Sequence, residues 1–341
     1  MSAPIRLGML GVQHSHAPGK IRWLLDLPDI DFVGAYEPNT AVRAERENEP
    51  RSHGVRWRDD IQSILSDDAL AGVVIGGEER QNPSYARRAL AAGKHVLMEK
   101  ACGWTRAHAD ELIGTAEREG LLFQMGYNFR LLPHIRRILD MNDAGAFGQV
   151  FRVRVHQSAA YQGHPATQVD GSPYFRGGIF YNLACHALDL VIAVLGAPDR
   201  VHGFLRCDAY GDPDFVDNAT VVLEFADAIA VIESSFLETE QRRPRGLEVY
   251  GLEATAIASP FSPVADLAPA VAIHTGGVAA GADGWRRYGA EPFEPFRADI
   301  EEFVACIRGE KRPRFNYEHD RTVHHTLMQI CGESEVAEIE A

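Results

Sequence analysis

The chain has 341 residues, of which 45% are apolar and 24% are charged, and its formal charge at pH 7 is −14. This length is too great for one ordinary hydrophobic core and favours two domains. The composition is typical of a globular protein rather than a disordered or fibrous one. A net negative surface repels phosphate backbones, which argues against nucleic acid as a partner.

The five cysteines are scattered along the chain without a paired spacing, a pattern typical of reduced thiols in a reducing compartment. They are Cys102, Cys185, Cys207, Cys306 and Cys331. The amino terminus has no basic region followed by an apolar stretch and a cleavage site, and no apolar run approaches the ~20 residues of a membrane helix. We therefore expect a soluble, cytoplasmic protein with no membrane partner.

Strand and helix patterns alternate over residues 1–125. Five apolar runs predict strands: Ile5–Leu10, Ile30–Tyr36, Leu70–Ile75, His95–Met98 and Leu121–Met125. Helical patterns separate them: Ala17–Leu27, Ala41–Glu47, Asp60–Leu65, Pro83–Ala92 and Arg106–Glu119. Regular alternation of this kind predicts an α/β domain with a doubly wound parallel sheet, the Rossmann architecture.

Strand patterns follow one another with few helices between them in residues 126–341. The predicted strands are Gly148–Gln157, Val216–Phe225, Ala228–Leu237, Gly246–Tyr250 and Thr255–Ala258. Helical patterns occur at Leu132–Met141, Phe180–Leu195, Pro295–Arg308 and His319–Cys331, and the Gly-, Ala- and Pro-rich stretch Ser259–Gly289 predicts loops. Consecutive strands favour an α+β domain with a large, mostly antiparallel open sheet.

The turn after the first predicted strand partly matches a dinucleotide-binding fingerprint. Gly11 fills the first glycine position, but Gln13 and His16 stand where the second and third glycines belong. Glu37 ends the second predicted strand, where a carboxylate accepts hydrogen bonds from ribose hydroxyls and repels a ribose phosphate. This favours NAD over NADP, although Arg43 and Arg46 lie nearby in the chain and weaken the preference.

His14 and His16 form a His-x-His pair, which on a strand can chelate zinc. On a turn that enters a helix we expect the two side chains to diverge, with no nearby ligand to complete a site, and we predict no metal. Instead we expect one imidazole to lie against the phosphates or ribose of the cofactor.

Two further segments carry chemistry. Gly76 and the pair Glu99-Lys100 follow predicted strands, and ligands of open α/β sheets bind beyond such carboxyl ends, so Lys100 is expected to point into the cleft. Asn182, His186 and Asp189 are spaced four and three residues apart in an apolar helical segment and are expected to share one face. The alternative for His186 is a buried histidine hydrogen-bonded by Asp189.

Together these segments resemble the Gfo/Idh/MocA oxidoreductases, the family of glucose–fructose oxidoreductase and inositol dehydrogenase. The resemblance covers nearly the whole chain. It comprises Gly11, Glu37, Ala92–Lys100, Gly126–Arg130, the Gly177-Gly178 helix with His186 and Asp189, and Val249–Gly251. It implies hydride transfer between a sugar or polyol carbon and nicotinamide. In the family, the residues matching Lys100 and His186 bind the reacting oxygen and handle its proton, and the residue matching Asn128 lies near nicotinamide and substrate.

The chain departs from the family pattern at three places. Ala101 stands where proline is usual, Asn182 stands where an aspartate usually partners the histidine, and the usual threonine-proline loop is missing after Gly76. An amide can orient His186 but cannot stabilise an imidazolium by charge. The pH optimum is therefore expected to differ, and Lys100 is the alternative main acid/base.

We therefore expect an NAD(P)-dependent dehydrogenase acting on a CH–OH group of a sugar, polyol or sugar acid, and the resemblance implies a homodimer or homotetramer. Two alternatives stay open: an enzyme with tightly bound NAD that uses transient oxidation for isomerisation, elimination or glycoside cleavage, and a non-catalytic dinucleotide-binding regulatory protein. Candidate substrate contacts besides Lys100, Asn128, Asn182 and His186 lie before or within the catalytic helix: Tyr161, His164, Tyr174, Arg176 and Tyr181.

Overall fold

A computed structural model describes residues 3–159, 176–209, 215–238, 245–261, 267–277, 284–334 and 337–340. The chain divides into two compact units. The first unit comprises Met1–Tyr127, Glu294–Tyr317 and Glu335–Ala341, and the second comprises Asn128–Phe293 and Glu318–Ser334.

The first unit is built on a parallel sheet. Among the described residues, six strands lie in the order β3-β2-β1-β4-β5-β6. They are β1 (Ile5–Leu10), β2 (Ile30–Tyr36), β3 (Trp57–Arg58), β4 (Gly72–Ile75), β5 (His95–Met98) and β6 (Phe123–Met125). This order reverses direction between β1 and β4, which is the doubly wound arrangement, so the predicted Rossmann architecture is confirmed.

Helices cover this sheet. They are α1 (Ala17–Asp26), α2 (Thr40–Glu47), α3 (Gln62–Leu65), α4 (Asn82–Ala91) and α5 (Arg106–Glu119), joined late in the chain by α8 (Pro295–Ile307). Buried residues of α1 and α8, among them Ile21, Leu24 and Phe303, pack with strand residues such as Leu7 and Val74 into one apolar core. The chain thus returns to its first unit after completing most of the second.

The second unit contains the larger sheet. In the described ranges, eight strands lie in the order β14-β13-β12-β11-β7-β10-β9-β8. They are β7 (Val150–His156), β8 (Arg200–Arg206), β9 (Asn218–Glu224), β10 (Ile229–Ser235), β11 (Gly246–Gly251), β12 (Ala254–Ala258), β13 (Ala270–Thr275) and β14 (Trp285–Gly289). β7 and β10 run parallel, and the other neighbouring pairs are antiparallel, as predicted.

The helices of the second unit are α6 (Pro133–Asp143), α7 (Cys185–Leu195) and α9 (Tyr317–Cys331). Residues in β9 to β12 alternate between buried and half-buried positions, and α6 and α7 pack against strands of this sheet. The prediction of loops for Ser259–Gly289 is wrong, because β13 and β14 lie within it. Every residue of β14 is exposed, so that strand carries no alternating apolar pattern to detect.

No helix in the described ranges is both long enough and apolar enough to cross a membrane.

Candidate nucleotide and catalytic site

The first turn of the site connects β1 to α1 and is held close to the loop after β4. The amide of Gly11 donates to the carbonyl of Tyr36 at 2.8 Å, and the amide of His14 donates to the carbonyl of Gly76 at 2.9 Å. Gly11 has a φ of 70°, and a Cβ at this position would overlap the backbone of Gly77. Only glycine fits both constraints, which is the role of the first glycine in the fingerprint.

Glu37 lies at the carboxyl end of β2 and is 3% exposed. Its carboxylate accepts hydrogen bonds from the backbone amides of Val12 at 2.8 Å and Asn39 at 2.9 Å. Burial raises the pKa of Glu37, and the two amides and nearby Arg46 oppose that rise. The predicted ribose-binding acid is therefore fixed against the predicted nucleotide turn.

The two arginines near Glu37 differ in their contacts. Arg46 donates to the carbonyls of Val12 at 3.0 Å and Gln13 at 3.4 Å, so it belongs to the turn. Arg43 pairs instead with Glu47 at 2.9 Å and Asp59 at 2.6 Å. Of the two arginines, Arg46 is therefore the one that contacts the predicted nucleotide turn.

His14 and His16 converge rather than diverge, so the sequence expectation for these side chains was wrong. Their ring centroids are 4.5 Å apart, and the Nδ1 atoms of His14 and His16 lie 4.0 and 3.1 Å from Oε2 of Glu99. The backbone amide of His16 donates a hydrogen bond to Nδ1 of His14, which holds the His14 ring close to the backbone of the turn. Because α1 begins immediately after His16, both rings face the end of β5.

These three side chains offer metal-ligand atoms within 4.8 Å of one another. However, the ammonium of Lys20 lies 2.8 Å from Oε1 of Glu99 and 3.0 Å from Oδ2 of Asp299. A metal cation bound by Glu99 would therefore face a buried like charge, which lowers the affinity of the cluster for metals.

The buried charges of this cluster favour an ionised Glu99. Burial alone would raise its pKa, but Lys20, His16 and His14 outweigh burial and hold the pKa of Glu99 well below its usual range. Burial alone would lower the pKa of the Lys20 ammonium, but the carboxylates of Asp299 and Glu99 outweigh burial and raise it. Burial lowers the pKa of His14 well below its usual range, and the Glu99 carboxylate opposes that shift. Glu99, predicted as a cofactor contact, is thus part of an internal ion network.

Lys100 follows Glu99 directly and is 5% exposed. The amide of Glu99 donates to the carbonyl of Ile75 at 3.0 Å, so this segment continues the pairing of β5 with β4. Lys100 therefore lies beyond the carboxyl end of β5, at the edge of the sheet where Gly11, Glu37 and Gly76 also lie.

In the second unit, the predicted catalytic helix begins differently from the prediction. Phe180–Ala184 form a π-helical turn, and the α-helix α7 begins only at Cys185. Asn182 lies in the π-helical turn and His186 in α7, so their relative directions differ from those of residues four apart in one α-helix. Gly177 and Gly178, with φ of 95° and 44°, precede the turn. A side chain at Gly177 would overlap Cys331, and a side chain at Gly178 would overlap the backbone of Val216.

His186 is 2% exposed, and its ring stacks on Phe129 with centroids 4.6 Å apart and an interplanar angle of 26°. Phe129 belongs to the short helical turn Asn128–Leu131. Asn128 is 3% exposed, and among the described residues its Oδ1 has no hydrogen-bond partner. The turn therefore brings two of the predicted site residues, Asn128 and His186, into one region of the second unit.

Asp189 contacts partners that the sequence did not suggest. Its carboxylate lies 2.9 Å from Nε2 of His319 and 3.4 Å from Nε of Arg130. Arg130 also reaches Asp320 at 3.3 Å. Asp189, His319 and Asp320 could together offer metal-ligand atoms, but the guanidinium of Arg130 already pairs with both carboxylates, and its positive charge disfavours a metal cation there.

The remaining predicted substrate contacts differ in their exposure, and some of them lie outside the described residues. Tyr181 is 3% exposed within the π-helical turn. Arg176 is exposed, its amide donates to Oγ of Ser334 at 2.9 Å, and its side chain lies against Gly332. Tyr161, His164 and Tyr174 lie outside the described residues.

Lys20, Asp299, Phe129 and Arg130 were not recognised as site residues from the sequence. A signal existed for Lys20, because it lies on the same face of α1 as Ala17, Ile21 and Leu24, which are all buried. Asp299 had no comparable signal, since its contact with Lys20 depends on the late return of α8 to the first unit.

Comparison with known proteins identifies the family. The model of the Gfo/Idh/MocA oxidoreductase family, described as an NAD-binding Rossmann fold, matches residues 5–127. The model of the Gfo/Idh/MocA C-terminal domain matches residues 135–257.

One similar protein is the uncharacterised oxidoreductase YhhX of Escherichia coli (strain K12), which is 30% identical over 192 residues. That alignment spans 56% of this chain and 54% of YhhX, so the chain spans about half the length of this relative.

Two solved structures share the fold. UDP-N-acetylglucosamine 3-dehydrogenase GnnA from Acidithiobacillus ferrooxidans has a TM-score of 0.78 at 20% identity, covering 97% of each chain. KijD10, a 3-ketoreductase from Actinomadura kijaniata solved with NADP and TDP-benzene, has a TM-score of 0.75 at 20% identity, covering 96% of this chain and 97% of its own. Since the two family models together match most of the chain, it belongs to the Gfo/Idh/MocA family of oxidoreductases, and its first unit is an NAD-binding Rossmann domain.

Proposed function

We propose that this protein is an NAD-dependent dehydrogenase that oxidises a secondary alcohol of a sugar, polyol or sugar acid, or reduces the corresponding ketone. NAD, when bound, supplies the acceptor for the hydride. The chain supplies the groups that hold the cofactor, bind the reacting oxygen and move its proton.

The residues of the first unit fit a dinucleotide. Gly11 leaves room beside the turn that Arg46 and Glu37 fix, and the Glu37 carboxylate lies at the strand end where ribose hydroxyls are bound in this fold. A carboxylate at that position also repels a ribose phosphate, which favours NAD over NADP. In the second unit, Oδ1 of Asn128 has no hydrogen-bond partner within the described ranges. It can accept a hydrogen bond from a ligand N–H, because an unsatisfied buried oxygen is costly unless a ligand or water satisfies it.

The proton chemistry falls to Lys100 and His186. One observation carries the proposal: Lys100 is only 5% exposed and lies beyond the carboxyl end of β5, at the edge where ligands bind in open α/β sheets. Lysine is rarely buried to this degree without a functional or ionic reason. We propose that Lys100 stabilises the developing alkoxide, that the imidazole of His186 accepts the hydroxyl proton, and that Asn182 orients the substrate or the imidazole by hydrogen bonding.

The proposed substrate class follows from the chemistry and from relatives. By their names, GnnA acts on a nucleotide sugar at carbon 3 and KijD10 is a 3-ketoreductase. Neutral amides such as Asn128 and Asn182 can both donate to and accept from hydroxyl groups, which suits a polyhydroxylated substrate. We therefore propose a carbohydrate or polyol carbon as the hydride donor.

The test is a panel of sugars, nucleotide sugars, polyols and sugar acids assayed with NAD and with NADP, following nicotinamide absorbance. We expect turnover with at least one member, faster with NAD. Lys100→Ala and His186→Gln should each lower kcat by about 10²- to 10⁴-fold while NAD binding is retained.

Two surface substitutions serve as matched controls. Lys311→Ala removes a lysine that is 36% exposed, and His202→Gln removes a histidine that is 50% exposed. Both should leave kcat unchanged. Wild-type rates in Lys100→Ala would remove that residue from the mechanism, and NAD binding without turnover of any panel member would contradict the enzymatic proposal.

A further inference from the structure

We propose that Phe129 is a positioning residue for His186, and that the ion pairs of Arg130 hold Phe129 in place. The inference rests on the proposed function, in which the His186 imidazole accepts the hydroxyl proton. It adds a second residue that determines how well that proton transfer is oriented.

The ring of Phe129 lies nearly parallel to the imidazole of His186. The centroids are 4.6 Å apart and the planes differ by 26°. A general base must present its nitrogen within about 3 Å of the proton that it removes, so the plane of the imidazole has to be fixed. Rotation of His186 about its Cβ–Cγ bond would break the stack, because the rings would no longer be parallel.

Phe129 also has neighbours other than His186. The ring of Phe261 packs edge-on against it, with centroids 5.5 Å apart and an interplanar angle of 69°. The next residue along the chain, Arg130, contacts Asp189 at 3.4 Å and Asp320 at 3.3 Å. Phe129 is half-buried, and the ion pairs of Arg130, which hold the backbone of the turn, determine its position more than the edge contact with Phe261 does.

The Arg130–Asp189 ion pair connects the Asn128–Leu131 turn to the helix that carries His186. Asp189 lies three residues after His186, about one turn further along α7. His319 fixes the other oxygen of Asp189 at 2.9 Å. The turn and α7 are thus joined twice, by the ring stack and by the ion pair, so displacement of the turn must also displace the imidazole.

An ordinary packing contact would look similar, and it has to be distinguished by a measurement other than stability. Phe261 is the matched control. It is 2% exposed and belongs to the same aromatic cluster, but it packs against Phe129 and His134. Phe261→Leu therefore removes an aromatic ring of the cluster and keeps the Phe129–His186 stack.

The experiment compares Phe129→Leu with Phe261→Leu in the full-length protein. The first readout is the NMR spectrum of ¹⁵N-labelled histidines, with the His186 signals assigned from His186→Gln. The second is kcat, KM and NAD affinity with the substrate found in the panel. We expect Phe129→Leu to shift or broaden the His186 signals and to lower kcat by about 10- to 100-fold. Its NAD affinity should stay within about twofold of wild type, and Phe261→Leu should resemble wild type in both readouts.

Unchanged His186 signals and unchanged kcat in Phe129→Leu would overturn the proposal, as would equal effects of the two substitutions. If the leucine variant does not fold, Phe129→Met removes the ring while keeping a side chain of similar volume, and the same criteria apply. The NMR readout requires no substrate. Failure to find any turnover would therefore count against the proposed function, whereas the spectra would still decide the role of Phe129.

Discussion

His134 makes the acid stability of the second unit predictable. This residue lies in the first turn of α6, is 3% exposed, and in the described part of the chain neither ring nitrogen has a hydrogen-bond partner. Burial lowers the pKa of His134 from 6.5 to about 4. Each pKa unit corresponds to about 1.4 kcal/mol, so the difference is worth about 3 kcal/mol.

The direction follows from which state binds the proton first. Above pH 6.5 the imidazole is neutral in both folded and unfolded chains, and pH has no effect through this group. As the pH falls from about 6.5 towards 4, the unfolded chain takes up the proton while the folded chain resists it. The free energy of unfolding therefore decreases, by about 2 kcal/mol at pH 5 and about 3 kcal/mol near pH 4.

The substitution His134→Phe removes the titrating group and keeps a ring beside Phe261. At pH 8 we expect the variant to be at least as stable as wild type, because no hydrogen bond is lost and an unsatisfied buried polar group is removed. At pH 5 we expect its advantage over wild type to be larger by about 2 kcal/mol.

The assay is urea unfolding at pH 8, 6.5 and 5, followed by circular dichroism. Burial also lowers the pKa of His14, His95 and His108. These residues are present in both proteins, so only the difference between variant and wild type is compared. A difference that does not change with pH would mean that the folded protein protonates His134 as readily as the unfolded chain does, and that burial does not lower the pKa of this residue.

Three further predictions concern the first unit. Lys20→Met should lower the free energy of unfolding by about 3–5 kcal/mol, since it leaves two buried carboxylates without their cation. Arg22→Met, which removes an exposed ion pair of the same helix, should lower it by less than about 1 kcal/mol. Equal decreases for the two variants in urea unfolding would contradict a stabilising role of the buried ion pairs. Gly11→Ala should abolish NADH binding in fluorescence titrations because of its positive φ and the overlap with Gly77, while Gly289→Ala, where a Cβ meets no neighbour, should bind normally. Glu37→Ala should reduce the preference for NAD over NADP by about tenfold in kcat/KM, and an unchanged ratio would exclude Glu37 as its determinant.

The fold of the first unit was predictable because its strands are buried. β1, β2 and β5 have the bounds that their apolar runs predict, and β4 is buried throughout. The edge strands of the second unit were not predictable. β8 exposes most of its residues, and β14 exposes all of them, so neither produces the alternation that marks a half-buried strand. Their pairing depends on backbone hydrogen bonds with β9 and β13, which the side chains do not encode.

The candidate site also contains residues that could be predicted from the sequence and contacts that could not. Gly11, Glu37 and Lys100 could be located from the sequence because each lies within two residues of the end of a predicted strand, and the carboxyl ends of parallel strands share one edge of a sheet. The convergence of His14 and His16 on Glu99 could not be predicted, since it depends on how the turn closes over β5.

Helical periodicity also failed at one point. The spacing of Asn182 and His186 predicts a continuous α-helix, but the chain forms a π-helical turn between Phe180 and Ala184. No spacing rule gives that change of register, because the apolar residues of the segment are compatible with either helix.

We propose that Lys100 and His186 act on one oxygen atom of a carbohydrate or polyol. This proposal is tested most directly by a crystal structure of the protein with NADH and the substrate identified in the panel. We expect Nζ of Lys100 and a ring nitrogen of His186 to lie within about 3.2 Å of the same substrate oxygen, with the adjacent carbon facing the nicotinamide. A complex in which the two side chains contact different parts of the ligand, or in which either one is directed away from it, would exclude this shared role of Lys100 and His186.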